Sequence, residues 1–210
     1  NKALDYLFID EAGQVALGTT IANATSAKNL VLIGDQMQLS QPMRAKHEGY
    51  ARMSSLDFVL EDKDTIPADK GVFLNVTRRL NNKICNYISS SFYDSRLTSD
   101  PITETRSVNL KLDPIKNEGL FYVPIEHSGC SQRSDEEADL VEKTYNKIIN
   151  KEFKDGESIG KISAKDIMVV APYNAQANNI RERLKKEYDD VRVGTIDLFQ
   201  GQEAKVVLIS

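Results

Sequence analysis

An α/β fold with a mostly parallel sheet covered by helices on both faces is the architecture this sequence predicts. Two observations carry it. Short, unbroken apolar runs rich in Val, Ile and Leu recur along the chain, as buried strands require, and amphipathic helical patterns lie between several of them. Strands alternating with helices imply right-handed βαβ crossovers.

In chain order the first runs are "YLFI" and "NLVLI", with one helix between them. Two strands and a helix are less than a free-standing core needs. From Gln41 to Lys70 the texture changes to scattered charges with Gly49, Pro67 and little strand propensity, which reads as an interdomain connection. The expected division is therefore 1–66, the later part of a first domain plus the connection, and 67–210, a second domain. "GVFL" follows as a strand, then a helix from about Asn81 with Cys85, Ile88 and Phe92 on one stripe, then the strand "GLFYV". The clearest helix is "SDEEADLVEKTYNKIIN", where Ala138, Val141, Tyr145 and Ile148 share a face and Ser134 with Glu137 forms a capping box. "DIMVV", a helix opening near Asn174 with Ala177, Ile180 and Leu184, "VRVGTI" and "KVVLI" complete the series.

With 210 residues, 40% hydrophobic and 28% charged, 6 Pro and 11 Gly, the composition is that of a soluble globular protein. No apolar run reaches the roughly 18 residues that span a bilayer, and "NKALDY" has no signal-peptide pattern, so a cytoplasmic location without membrane contact is expected. Cys85 and Cys130 are far apart, without a CxxC partner and with only His47 and His127 in the chain, which argues against structural zinc or a disulfide. The formal charge of −4 excludes bulk attraction to nucleic acid, so any such contact must be local; Arg78-Arg79-Lys83 and "RERLKK" are the basic clusters.

Ligands of open parallel sheets bind beyond the carboxyl ends of the strands. Four apolar runs end in polar clusters: "LFI" in Asp10-Glu11, "LVLI" in "GDQMQL", "MVV" in "APYNAQ" and "VGTI" in "DLFQGQE". One acidic turn is as well explained by a strand reaching the surface as by a site where an aspartate faces magnesium and a glutamate faces an attacking water. Four polar clusters at equivalent strand ends favour a site. Gly34 stands where the backbone turns tightly or approaches a ligand, followed by Asp35 and Gln38.

"FIDEAGQ" resembles motif II of superfamily 1 helicases, "VLIGDQMQL" motif III, "LNVTRRLNNKICNYISSSFYDSRL" motif IV and "VRVGTIDLFQGQEAKVVLIS" motif V. The branch is similar to Upf-like and DNA-replication-nuclease helicases, and "SSLDFVLEDKDTIPADKGVFL" and "IMVVAPYNAQ" resemble bacterial RecB-like nuclease and helicase fusion proteins. The resemblance implies two RecA-like P-loop NTPase domains, ATP with Mg2+ as cofactors, and single-stranded nucleic acid as partner, DNA favoured over RNA, with a nuclease domain in the same parent chain an open expectation. It implies that Asp10 and Glu11 serve the metal ion, Glu11 also as base for the attacking water, and that Gln38 senses the γ-phosphate beside Gly34. Arg79 would act as an arginine finger, and Glu203 would bind the ribose. Thr195, Tyr173 and Asn174 would contact the nucleic-acid strand, through phosphates and with little sequence preference.

The sequence departs from the family where relatives carry Tyr or Trp before the motif IV arginine. Arg78 stands there, a guanidinium that can itself stack on adenine, and Leu80 and Asn81 replace a methionine and a histidine. No "GxxxxGK[ST]" occurs, since "ESIGKIS" offers only Gly160-Lys161, and the motif VI arginine is not reached. The expectation is a piece of a longer ATP-dependent helicase or translocase, inefficient as an ATPase by itself. A non-catalytic RecA-like module binding nucleic acid or protein is the alternative, and a different P-loop enzyme such as a nucleotide kinase explains less.

Overall fold

Residues 3–39, 48–61, 63–110 and 115–210 are described by the computed structural model. His47 and part of the stretch read as a connection lie outside them. Two units divide the chain, Asn1–Asn75 with Asn86–Thr98, and Val76–Cys85 with Ser99–Ser210.

In the first unit, β1 (Leu4–Ile9), α1 (Leu17–Ala24) and β2 (Ala27–Leu32) form a βαβ element, with β1 and β2 parallel in register from Leu4 opposite Ala27 to Ile9 opposite Leu32. A helix that the sequence reading overlooked, α2 (Ser55–Leu60), sits inside the 41–70 stretch. Its signal is "SSLD": Ser54 Oγ accepts from Asp57 N at 3.1 Å and the Asp57 carboxylate accepts from Ser54 N at 3.2 Å, a reciprocal capping box. Leu56 and Leu60 bury with Ala12, against Ile9, Leu32 and Ile66. This small core covers one face of the pair, so Tyr6 and Phe8 of β1 stay 59% and 64% exposed rather than buried on both faces as the unbroken run predicts.

β3 (Val76–Thr77) leads into α3 (Asn82–Phe92) and β4 (Thr98–Ser99). Asn81 Oδ1 accepts from Ile84 N at 3.1 Å, which starts α3 where the sequence placed it. Cys85 is buried, but Phe92 is exposed and Ser89 takes the inward position. The reason is polar: Ser89 Oγ accepts from Leu97 N and its carbonyl from Ser95 N, each at 3.0 Å, holding the turn after the helix. "GVFL" forms no strand. Its Phe73 ring instead lies under the Arg96 guanidinium, 4.6 Å from the ring centre, while Val72 and Leu74 are exposed.

In the second unit, β5 (Ser107–Val108), β6 (Glu152–Asp155) and β7 (Ser158–Lys161) make an antiparallel sheet in that order. Gly160-Lys161 therefore belongs to β7 and not to a phosphate loop. A Cβ at Gly160 would lie 2.7 Å from the Phe153 ring, so aromatic packing accounts for that glycine. "GLFYV" is also not a strand, and its Tyr122 is 87% exposed. The core lies around β8 (Ile167–Val170), which is central in a parallel sheet of order β10 (Val206–Ile209), β8, β9 (Arg192–Gly194). Ile167 and Val169 bury against Tyr145 and Ile148 of α4 (Asp135–Ile148) and against Ile180 and Leu184 of α5 (Asn174–Leu184). Each such side chain contributes about 1.5–3 kcal/mol. The stripes foreseen for α4 and α5 are the buried ones.

At the start of α4, Ser134 Oγ accepts from Glu137 N at 3.1 Å, but the return arm of the expected box is absent among the described residues. Glu137 turns instead to His127 and Ser210, and the Ser134 N–H donates to Gln176 Oε1 at 2.9 Å. Among the described residues no helix is long and apolar enough to cross a membrane.

Candidate functional site

Backbone pairing in the first unit continues past the strand ends. Ile33 N donates to Ile9 O and Ala12 N to Ile33 O, both at 2.8 Å, so the turns after β1 and β2 emerge side by side. Two glycines permit this contact: a Cβ at Gly34 would stand 2.8 Å from Ala12 N, and one at Gly13 would stand 2.5 Å from Asp35 O. Asp10, Glu11, Gly34 and Gln38 thus gather at the carboxyl ends of two parallel strands, all exposed.

Asp10 Oδ1 accepts from Glu11 N at 2.9 Å. Glu11 holds a φ of 51°, a left-handed conformation that costs a non-glycine residue about 1–2 kcal/mol. Its carbonyl accepts from Gln14 N at 2.8 Å, and its Oε2 accepts from Gln14 Nε2 at 3.4 Å. One oxygen of each carboxylate has no partner among the described residues. This donor set fits Mg2+, which takes one or two protein carboxylates and completes its shell with water and phosphate oxygens. Asp35 accepts from Met37 N at 3.0 Å and from Gln38 Nε2 at 3.3 Å.

In the second unit, Arg79 Nε donates to Glu203 Oε2 at 2.8 Å, so two residues 124 positions apart share one contact. Both side chains are more than half exposed, so the pair adds little stability. Arg78 Nε donates to Asp100 Oδ2 at 3.2 Å. Two arginines that sequence reasoning passed over hold this region. Arg106 donates to the carbonyl of Arg78 at 2.8 Å and to Asp155 at 3.0 Å. Arg192 donates to the Glu203 carbonyl at 3.1 Å and to Gln202 Oε1 at 2.9 Å. A charged residue inside "VRVG", an otherwise apolar strand, was the available signal for Arg192; nothing in the sequence marks Arg106.

Thr195 follows β9, and Tyr173 with Asn174 follows β8, so all three lie at the carboxyl edge of the parallel sheet, where Ala171 N donates to Gly194 O and Ser210 N to Val170 O. Beside Tyr173 is a cleft of about 170 Å³ lined by His127, Arg133, Gln176 and Ser210. Gln176 is buried and fully used: it accepts from Ser134 N and donates to Ser134 O at 3.0 Å and to Ser210 Oγ at 2.9 Å. Ser210 in turn donates to Glu137 at 2.7 Å.

A family model described as an AAA domain matches residues 53–210. DNA polymerase alpha-associated DNA helicase A of Schizosaccharomyces pombe is 28% identical over 100% of this chain, and Helicase sen1 of the same organism 29% identical over 97%. The chain belongs to the AAA-domain family of superfamily 1 helicases. DNA-binding protein SMUBP-2 of Mus musculus is 24% identical over 98% of it. The chain spans 32%, 12% and 21% of the lengths of these three relatives. The Arg78 guanidinium is 84% exposed, leaving its face open for stacking while its edge holds Asp100.

Proposed function

We propose that this chain is the part of an ATP-dependent helicase or translocase that joins nucleotide hydrolysis to movement along a single strand, with residues 1–66 from a first RecA-like domain and 67–210 from a second. The observation that carries the reading is the pairing of the turns after β1 and β2, which brings Asp10, Glu11 and Gln38 to one strand-end surface with Glu11 in a strained backbone conformation. A solvated turn has no need of that strain, whereas strained residues cluster where a side chain must be aimed.

Asp10 and Glu11 are the groups that would hold Mg2+, which when bound neutralises charge on the phosphates. Glu11 takes the proton of the attacking water, and Gln38 hydrogen-bonds the γ-phosphate. Arg79 supplies a planar cation to the transferred phosphoryl group once released from Glu203, and Glu203 is then free to accept from ribose hydroxyls. Arg78 offers a stacking face for the adenine. Thr195, Tyr173 and Asn174, at the sheet edge, touch the strand at its phosphates. DNA as that strand is supported by the names of two relatives, a DNA helicase and a DNA-binding protein.

The test is strand-stimulated ATP hydrolysis by the full-length protein. Glu11→Gln keeps the shape and removes the base, and a loss of about 10²- to 10⁴-fold in kcat is expected. A wild-type rate in that variant would falsify the assignment.

A further inference from the structure

Asp35 joins two stretches of the first unit that lie 58 residues apart. Its Oδ1 caps the turn after β2 through Met37 N, and its Oδ2 accepts from Gln38 Nε2 at 3.3 Å. The same Oδ2 accepts the phenolic O–H of Tyr93 at 2.6 Å. A hydrogen bond this short to a carboxylate is of the charge-assisted kind, stronger than a neutral pair.

Tyr93 is itself held firmly. Its N–H donates to Ser89 O at 3.0 Å, and its ring lies 6.1 Å from that of Phe73. The next two residues, Asp94 and Ser95, both have left-handed backbones, with φ of 51° and 58°. Two such residues in succession persist only where neighbours over-determine the turn. Those neighbours are present: Thr65 Oγ1 donates to Asp94 Oδ2 at 2.8 Å, and Arg96 donates to Thr65 Oγ1 at 2.7 Å and to Ile66 O at 3.0 Å while lying over Phe73. The strain therefore fixes where the phenol points.

We propose that Tyr93 is a positioning residue for the γ-phosphate contact of Gln38, acting through Asp35. The inference rests on the hydrolysis reading above. With one N–H of its amide committed to Asp35, Gln38 presents the other N–H and its carbonyl oxygen in a set direction. Asp35 can impose that direction only while its own carboxylate plane is fixed, and the Tyr93 O–H fixes it at the oxygen that Gln38 uses. Burial, together with the bond to Asp35, raises the phenol's pKa well above its ordinary value, so Tyr93 remains a donor throughout the neutral and mildly alkaline range.

The experiment is steady-state, strand-stimulated ATP hydrolysis by the full-length protein, with Tyr93→Phe as the variant. The ring, its contact with Phe73 and the fold are kept, and only the O–H is lost. A fall in kcat of about tenfold is expected, with the KM for ATP changed less than about twofold. In a Gln38→Ala background the same change has no further effect on kcat, an outcome that a general loosening of the fold would not give. Asp35→Asn provides a second arm: its loss of kcat is non-additive with that of Tyr93→Phe. If wild-type hydrolysis depends on Glu11 but Tyr93→Phe stays within about twofold of wild type, or its effect multiplies fully with Gln38→Ala, the proposal is overturned and the hydrolysis reading stands. If the rate does not depend on Glu11, both fall together.

Discussion

Single atoms decide whether the two acidic turns can meet. Gly34 is intolerant of any side chain, because a Cβ would press on Ala12 N at 2.8 Å and on Leu56 Cδ1 at 3.2 Å, and Ala12 is fully buried and cannot yield. Gly18, at the start of α1, has nothing within 4 Å of its virtual Cβ and lies in a helix. Alanine at these two positions should thus act in opposite directions. Gly34→Ala is expected to lower the unfolding free energy by about 1–3 kcal/mol, through backbone displacement in a packed region. Gly18→Ala is expected to raise it by about 0.5 kcal/mol, from helix propensity and a less free unfolded chain. Urea unfolding of both variants checks this, and equal destabilisation would mean that the close approach at Gly34 is not what the glycine serves.

At the scale of elements, β8 and β10 are tied where they begin. Asp166 precedes β8 and Lys205 precedes β10; the two form an ion pair, and the Lys205 ammonium lies 3.8 Å from the centre of the Phe153 ring of β6. Burial alone would raise the Asp166 carboxyl, but hydrogen bonds from Lys205 and from the Ser163 hydroxyl and N–H outweigh it and hold the group below its ordinary value. A carboxyl depressed in the folded state stabilises fully above its unfolded value, near 3.9, and that stabilisation is lost as pH falls through the folded value. Asp166→Asn should cost on the order of 1 kcal/mol at pH 7 and nothing at the acid end of the range, so the wild-type and variant stability curves converge below about pH 4. Parallel curves would remove the ion pair from that role. Elements such as β8, α4 and α5 were legible in the sequence because one burial pattern runs through each of them, and the turns after β1 and β2 because their polar residues interrupt apolar runs. The β6–β7 hairpin was not, although Gly156, which opens its two-residue turn at a φ of 63°, is a hairpin turn signal, because the flanking strands are four residues each and carry charged and small residues in place of an apolar run. "GVFL" and "GLFYV" misled for another reason: apolarity of four or five residues does not say whether a partner strand exists, and Phe73 is used by a cation instead. The bond of Tyr93 to Asp35 and, separately, that of Arg106 to Asp155 were illegible because each joins side chains far apart in the chain, which no local pattern encodes.

Over the whole molecule, buried apolar contact is distributed unevenly, and local stability should follow it. Among the described residues, the second unit has a core of fourteen buried residues around β8, whose Ile167, Met168 and Val169 are buried, whereas the buried apolar cluster around β1 and β2 consists of Ala12, Leu56 and Leu60. Conformational entropy charges each ordered residue about the same, 1–2 kcal/mol for backbone alone, so a strand pair covered on one face retains a smaller surplus than a strand enclosed on both. Opening of β1 and β2 should therefore take less free energy than opening of β8. In native-state hydrogen exchange on the 210-residue chain, the amides of Met168, Val169 and Val170 are expected to be the slowest class. Those of Tyr6 to Phe8 and Leu30 to Leu32 should exchange at least about tenfold faster, although the register of their ladder is regular. Uniform protection across both sets would show that the small cluster at Ala12 carries as much cooperative stability as the large one, and the burial argument for the first unit would then be wrong.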